Sequence, residues 1–124
     1  MKKITLFILT ITLFMSGATP ILQGAPIKNY PKMLTQPDGT QVKVLISGDE
    51  YYHWVTDTLG YTLLKNKQGW IVYANLVNDE LVLTEYNAYS IDPQTIGLNP
   101  NLNISSEKYV QKRNSMLQQV PQQS

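Results

Sequence analysis

The sequence predicts a small α+β domain, a mostly antiparallel β-sheet of about six short strands followed by a C-terminal helix. Three observations predict it. Apolar and aromatic residues recur in short runs with period-two alternation, and each run is bounded by turn residues such as Pro37-Asp38-Gly39 or Asn78-Asp79. Near the end, a serine cap is followed by an acid and then by basic residues, the order expected along a helix.

Met1, Lys2 and Lys3 precede an uncharged run from Ile4 to Met15 and the small residues Ser16, Gly17 and Ala18, which is the order of a secretory signal peptide over residues 1–18. The cut is expected after Ala18, with Gly24 a later alternative. The apolar run falls short of the ~20 residues a spanning helix needs, and no second such run follows, so no membrane span is expected after processing. Residues 19–31 hold three prolines and little periodicity, and are expected to form an extended leader.

The β domain is expected over residues 32–89. Its first hairpin joins Lys32–Gln36 to Thr40–Ser47 across Pro37-Asp38-Gly39, where proline presets its dihedral and glycine accepts the left-handed position. Val42, Val44 and Ile46 share one face of the second strand, opposite Gln41, Lys43 and Leu45. After Gly48-Asp49 the run Glu50–Thr56 is expected to be a strand with Tyr52 and Trp54 on one face and Tyr51, His53 and Val55 on the other. Tyr61–Lys65, the turn Asn66–Gly69 and Trp70–Leu76 form a further hairpin, and Leu81–Ala88 follows Asn78-Asp79. Residues 90–104, rich in asparagine and proline, read as a loop laid over the sheet. Residues 105–119 form a helix capped by Ser105 or Ser106, with Glu107 at its positive end and a sparse apolar stripe of Tyr109, Met116 and Val120; residues 120–124 are a tail.

The 124 residues carry a formal charge of +1, which becomes −1 once Lys2 and Lys3 are removed with the signal. A near-neutral chain with no basic cluster argues against nucleic acid as a partner. There is no cysteine, which excludes a disulfide framework, a lipoprotein anchor and thiolate metal sites. His53 is the sole histidine, so the two imidazoles of H-E-x-x-H cannot be assembled, and no G-x-S-x-G elbow accompanies it. The chain is therefore read as non-enzymatic, with no catalytic or metal-binding residues and no cofactor. Asp49, Glu50, His53 and Trp54 are the candidate partner contacts. Their plainer reading is a turn tied by the Asp49 side chain and an aromatic strand packed across neighbours.

Four phrases stand in order: Thr35-Gln36-Pro37-Asp38-Gly39-Thr40, then Gly48-Asp49-Glu50-Tyr51-Tyr52-His53-Trp54, then Gly60-Tyr61, then Gly69-Trp70-Ile71-Val72-Tyr73-Ala74. Over Ala25 to Ala88 the chain resembles the N-terminal, prodomain-like region of secreted bacterial zinc metallopeptidases of the immune inhibitor A type, without the catalytic domain. The resemblance implies a secreted or periplasmic, non-catalytic module that acts by protein contact, with a secreted zinc metallopeptidase as partner, or a truncated remnant of such a precursor. Ile46-Ser47-Gly48-Asp49 is similar to the F-x-G-D segment by which some metallopeptidase prodomains present an aspartate to zinc, with Ile46 in place of the aromatic residue. The alternatives are an inhibitor of a secreted metallopeptidase acting in trans, and a surface-binding module that uses an exposed face of Tyr51, Tyr61, Trp70 and Tyr73.

Overall fold

The computed structural model describes residues 25–119; the expected signal peptide, its cut at Ala18 or Gly24, and the tail over 120–124 lie outside the described residues. Six strands, β1 (Ile27–Thr35), β2 (Gln41–Gly48), β3 (His53–Thr56), β4 (Thr62–Lys65), β5 (Ile71–Val77) and β6 (Glu80–Asn87), form one antiparallel sheet in sequence order. A 3₁₀ turn at Pro93–Ile96 and the helix α1 (Ser106–Gln119) follow. This is the small α+β architecture that the alternation and turn signals predict.

Two strands begin several residues from where they are expected and one short element is added, each for a local reason. β1 begins at Ile27, inside the residues read as an extended leader, and pairs with β2 from Ile27 opposite Gly48 to Thr35 opposite Gln41. Its prolines misdirect the reading, because an edge strand accommodates a missing N–H that an interior strand does not. Asn29, at φ 54°, takes up a bulge between Ile27 and Tyr30, and its N–H donates to Ser47 Oγ at 2.9 Å. β3 begins at His53 rather than Glu50, because the Asp49 carboxylate holds the Tyr51 and Tyr52 amides in a turn. Within the 90–104 loop, Asp92 caps the 3₁₀ turn by accepting from the Gln94 amide at 3.0 Å.

Three of the hairpin turns close with the same pair of backbone bonds. Gln36, Asp57 and Asn66 each donate to the carbonyl four residues on, at 2.7, 2.8 and 2.9 Å, while Gly39, Gly60 and Gly69 donate back to them. This is the type I turn with a following glycine bulge that suits three-residue hairpin loops. Asp57 and Asn66 add a side-chain oxygen that accepts from the Tyr61 and Trp70 amides at 2.9 Å, so the turn words of the sequence are self-tying.

β2 outruns its partner. Only Leu45–Gly48 pairs with β3, whereas Gln41–Val44 continues with β1 alone and reaches towards β5. There the buried Gln36 spans the gap: its Oε1 accepts from the Ile71 amide at 2.8 Å and its Nε2 donates to the Ile71 carbonyl at 3.2 Å. Val42, Val44, Tyr61, Leu63, Ile71 and Tyr73 form the core between these strands, with Leu34, Ile46 and Val55 at its margin. Leu98 is buried in the same cluster, and Ile91, Ile96 and Leu102 pack against it, so the loop after β6 covers the sheet as its isolated apolar residues predict. Each fully buried side chain of this size contributes roughly 1.5–3 kcal/mol relative to exposure.

Candidate functional site

The candidate contacts Asp49, Glu50, His53 and Trp54 gather at the corner between β2 and β3. The corner is built from its own carboxylate. Asp49 Oδ1 accepts from the Tyr51 amide at 2.9 Å and the Tyr52 amide at 3.1 Å, while the Asp49 amide donates to the Tyr52 carbonyl at 3.0 Å. The other oxygen accepts from the Tyr109 hydroxyl of α1. That hydroxyl, followed by the Tyr51 amide, holds the Asp49 carboxyl below the usual carboxylate range, and the same bond pushes the Tyr109 phenol up.

Tyr52, the residue just before β3, and Trp54 within it are two positions apart, and their side chains fall on the same side. Their rings stack with centroids 5.7 Å apart and planes inclined by 25°. The Tyr109 ring meets Tyr52 edge-on at 6.4 Å, the Lys112 ammonium lies 6.0 Å from the same ring, and the Tyr52 hydroxyl donates to Asn103 Oδ1 at 2.6 Å. Glu50 and His53, by contrast, are exposed at the crest of the corner. The four expected residues are thus brought together but divide in role: Asp49 and Trp54 are half-buried and structural, Glu50 and His53 face solvent.

Beside the stack runs a groove of about 620 Å³, bounded by Pro26, Ile27, Gly48, Tyr52, Trp54 and Tyr109. Two of its polar neighbours are already engaged: Ser47 Oγ accepts from Asn29, and Asn103 Oδ1 accepts from Tyr52 and from the Ile104 amide at 2.9 Å, while Lys28 and Ser106 also line it. What it offers is apolar, aromatic surface suited to a side chain or a short peptide segment.

Among the described residues no three histidine, aspartate or glutamate side chains lie close enough to hold a metal ion. The Asp49 carboxylate already accepts three hydrogen bonds, from Tyr51, Tyr52 and Tyr109, which leaves little of its acceptor capacity for a metal in another protein. Of the residues offered for an exposed aromatic face, Tyr61 and Tyr73 are 5% and 1% exposed and meet edge-on at 6.4 Å in the core. Tyr51 and Trp70 are half-buried. A continuous stripe of these four rings does not form, because burying large rings stabilises the core more than displaying them.

Sequence reasoning missed the partners of Tyr109 and Asn103 and the pairing of Asp79 with Ser105. Ser105 donates through its amide to Asp79 Oδ1 at 2.6 Å and through its hydroxyl to Asp79 Oδ2 at 2.5 Å, while its Oγ accepts from the Lys108 amide as the helix cap. The cap itself was readable from the serine; its carboxylate partner, 26 residues away in the β5–β6 turn, was not. Among the described residues no helix is long and apolar enough to cross a membrane. No family model, no curated protein and no solved structure matches the chain.

Proposed function

We propose that this chain is an exported, non-catalytic module of prodomain type that works by docking onto another protein, with a secreted zinc metallopeptidase as the partner. The observation that carries the reading is the ordered set of four phrases by which the chain resembles such precursors. Their placement supports it. The first phrase forms the β1–β2 turn, the second the β2–β3 corner, and the third and fourth border β4 and open β5. The second phrase presents Glu50 and His53 to solvent on a turn fixed by Asp49, next to an apolar groove. A rigid corner with an exposed charge and an exposed imidazole loses little entropy on association.

With one histidine and no cysteine, the chain has no set of side chains for a histidine-held zinc or a thiol nucleophile, which favours contact over hydrolysis. Inhibition in trans is the form of this contact most open to test. The purified chain is expected to inhibit secreted zinc peptidases of the matching type at micromolar concentration, and the double substitution Glu50→Ala, His53→Ala is expected to weaken inhibition at least about tenfold, a loss typical of central contacts. Both positions are exposed, so stability should stay within about 0.5 kcal/mol of the parent. Absence of inhibition and of binding across such a panel would overturn the assignment, as would chelator-sensitive peptide cleavage by the pure chain.

A further inference from the structure

The helix α1 docks the wrong way round for an amphipathic helix. Its half-buried side chains are Lys108, Tyr109, Lys112 and Arg113, whereas Val110, Met116 and Leu117 are 39%, 42% and 51% exposed. Of the expected stripe, Tyr109 faces the domain and Met116 does not, Val120 lies outside the described residues, and no described residue of the helix is fully buried. A helix normally gains its stability from the apolar face it buries. This one presents three cations and a phenol to the domain.

The surface that receives it is acidic, and lies on two separate turns. At the β2–β3 corner, Asp49 accepts from the Tyr109 hydroxyl and feels the Arg113 charge, with Glu50 and Tyr51 as its neighbours on the same turn. At the β5–β6 turn, Asp79 accepts twice from Ser105, and Glu80 Oε1 lies 2.6 Å from Lys108 Nζ, with Lys112 adding to the positive field around Glu80. The fit is incomplete, since the Arg113 Nε is buried without a hydrogen-bond partner. An unsatisfied donor of this kind opposes docking.

We propose that α1 is an electrostatic latch: it is held to the sheet by carboxylates on two turns, and it lets go as a unit, with the sheet still folded, when those carboxylates are neutralised or the charges are screened. The core has no share in the latch, because its apolar cluster is completed by the 88–102 segment and includes nothing from the helix. Release bares the Tyr52 ring and removes the Tyr109 wall of the groove, so the state of the latch sets how much of the aromatic surface a partner meets. This holds whatever that partner is.

Hydrogen exchange of backbone amides tests it on the expressed chain. At pH 7 and low salt the amides of 109–119 should be protected. At about pH 3, or in 1 M salt where the screening length is about 3 Å, their exchange, corrected for intrinsic rate, should rise at least about tenfold while β4 and β5 amides keep their protection. The triple variant Asp49→Asn, Asp79→Asn, Glu80→Gln should show the released pattern at pH 7. Helix protection that persists under both conditions overturns the proposal. So does simultaneous loss of sheet and helix protection, or a triple variant that behaves as the parent.

Discussion

The Asp49 carboxylate accepts a hydrogen bond from the Tyr109 hydroxyl across 60 positions of sequence. One acid thereby does two things: it shapes the turn that presents Glu50 and His53, and it fixes the helix that walls the adjoining groove. Lesions at this corner should therefore be felt in both places.

The pH dependence of stability follows from the same contacts. Asp38, Asp49, Asp79 and Glu80 all lie below the ordinary carboxylate range, through the Thr40 hydroxyl, the Tyr109 hydroxyl, the Ser105 hydroxyl and the Lys108 ammonium respectively. Groups lowered in the folded state contribute fully above their unfolded values, about pH 4, and lose that contribution as pH falls through the folded ones. Tyr109 and Lys108 are raised by the same partners, so their contribution is complete below about pH 10 and is lost as pH climbs through their folded values. Thermal melts followed by circular dichroism should give a midpoint that is level between about pH 5 and pH 9 and falls on either side. A midpoint still rising below about pH 4 would show that these bonds do not stabilise the native chain.

Gly48 is the position where a methyl group does most harm to the corner. Its φ is 128°, and a Cβ there would lie 2.3 Å from the Tyr52 carbonyl oxygen and 2.5 Å from the His53 Cα. Both obstacles are backbone and neither can swing away. At Gly39, with φ 88° and nothing within 4 Å, a methyl meets only the left-handed penalty. Gly39→Ala should cost about 1–2 kcal/mol, and Gly48→Ala more than that, with a change in tryptophan emission from Trp54 that Gly39→Ala lacks. Urea titrations of the two variants compare the costs directly, and equal values would place the steric conflict elsewhere.

Gln36 provides a cleaner test of the closure between β1 and β5. It is 4% exposed, and its amide both donates to and accepts from Ile71. Gln36→Glu keeps the shape but replaces the donor with an acceptor that faces the Ile71 carbonyl. At pH 7 the loss should be about 1–3 kcal/mol or more, the penalty for a buried polar group left unpaired. Lowering the pH should restore part of it relative to the parent, since the protonated acid donates again. Denaturant midpoints at pH 7 and about pH 5 give the answer; a variant as stable as the parent at both would mean the bridge is dispensable.

Much of the sheet was legible because period-two alternation and turn chemistry are local. Val42, Val44 and Ile46 on one face, the Tyr52–Trp54 pair, and the three glycine turns all follow from residues within a few positions of one another. The start of β1 was not, since Pro26 and Pro31 argue locally against a strand and only pairing with β2 overrides them. The tempting aromatic face failed for a related reason. Tyr61 and Tyr73 carry polar hydroxyls that suit a surface, yet they lie in the core cluster that the 88–102 segment completes.

By itself the sequence determined the number and order of the strands, the turns between them and the cap of the helix. The tertiary structure alone decided which faces are wet: that Tyr61 and Tyr73 are core, that Asp49 serves its own turn and Tyr109, and that α1 turns its cations inward and its apolar residues outward. Local patterning records which side chains share a face. What that face meets depends on partners 26 to 60 residues distant, and a hydrophobic period carries no record of them.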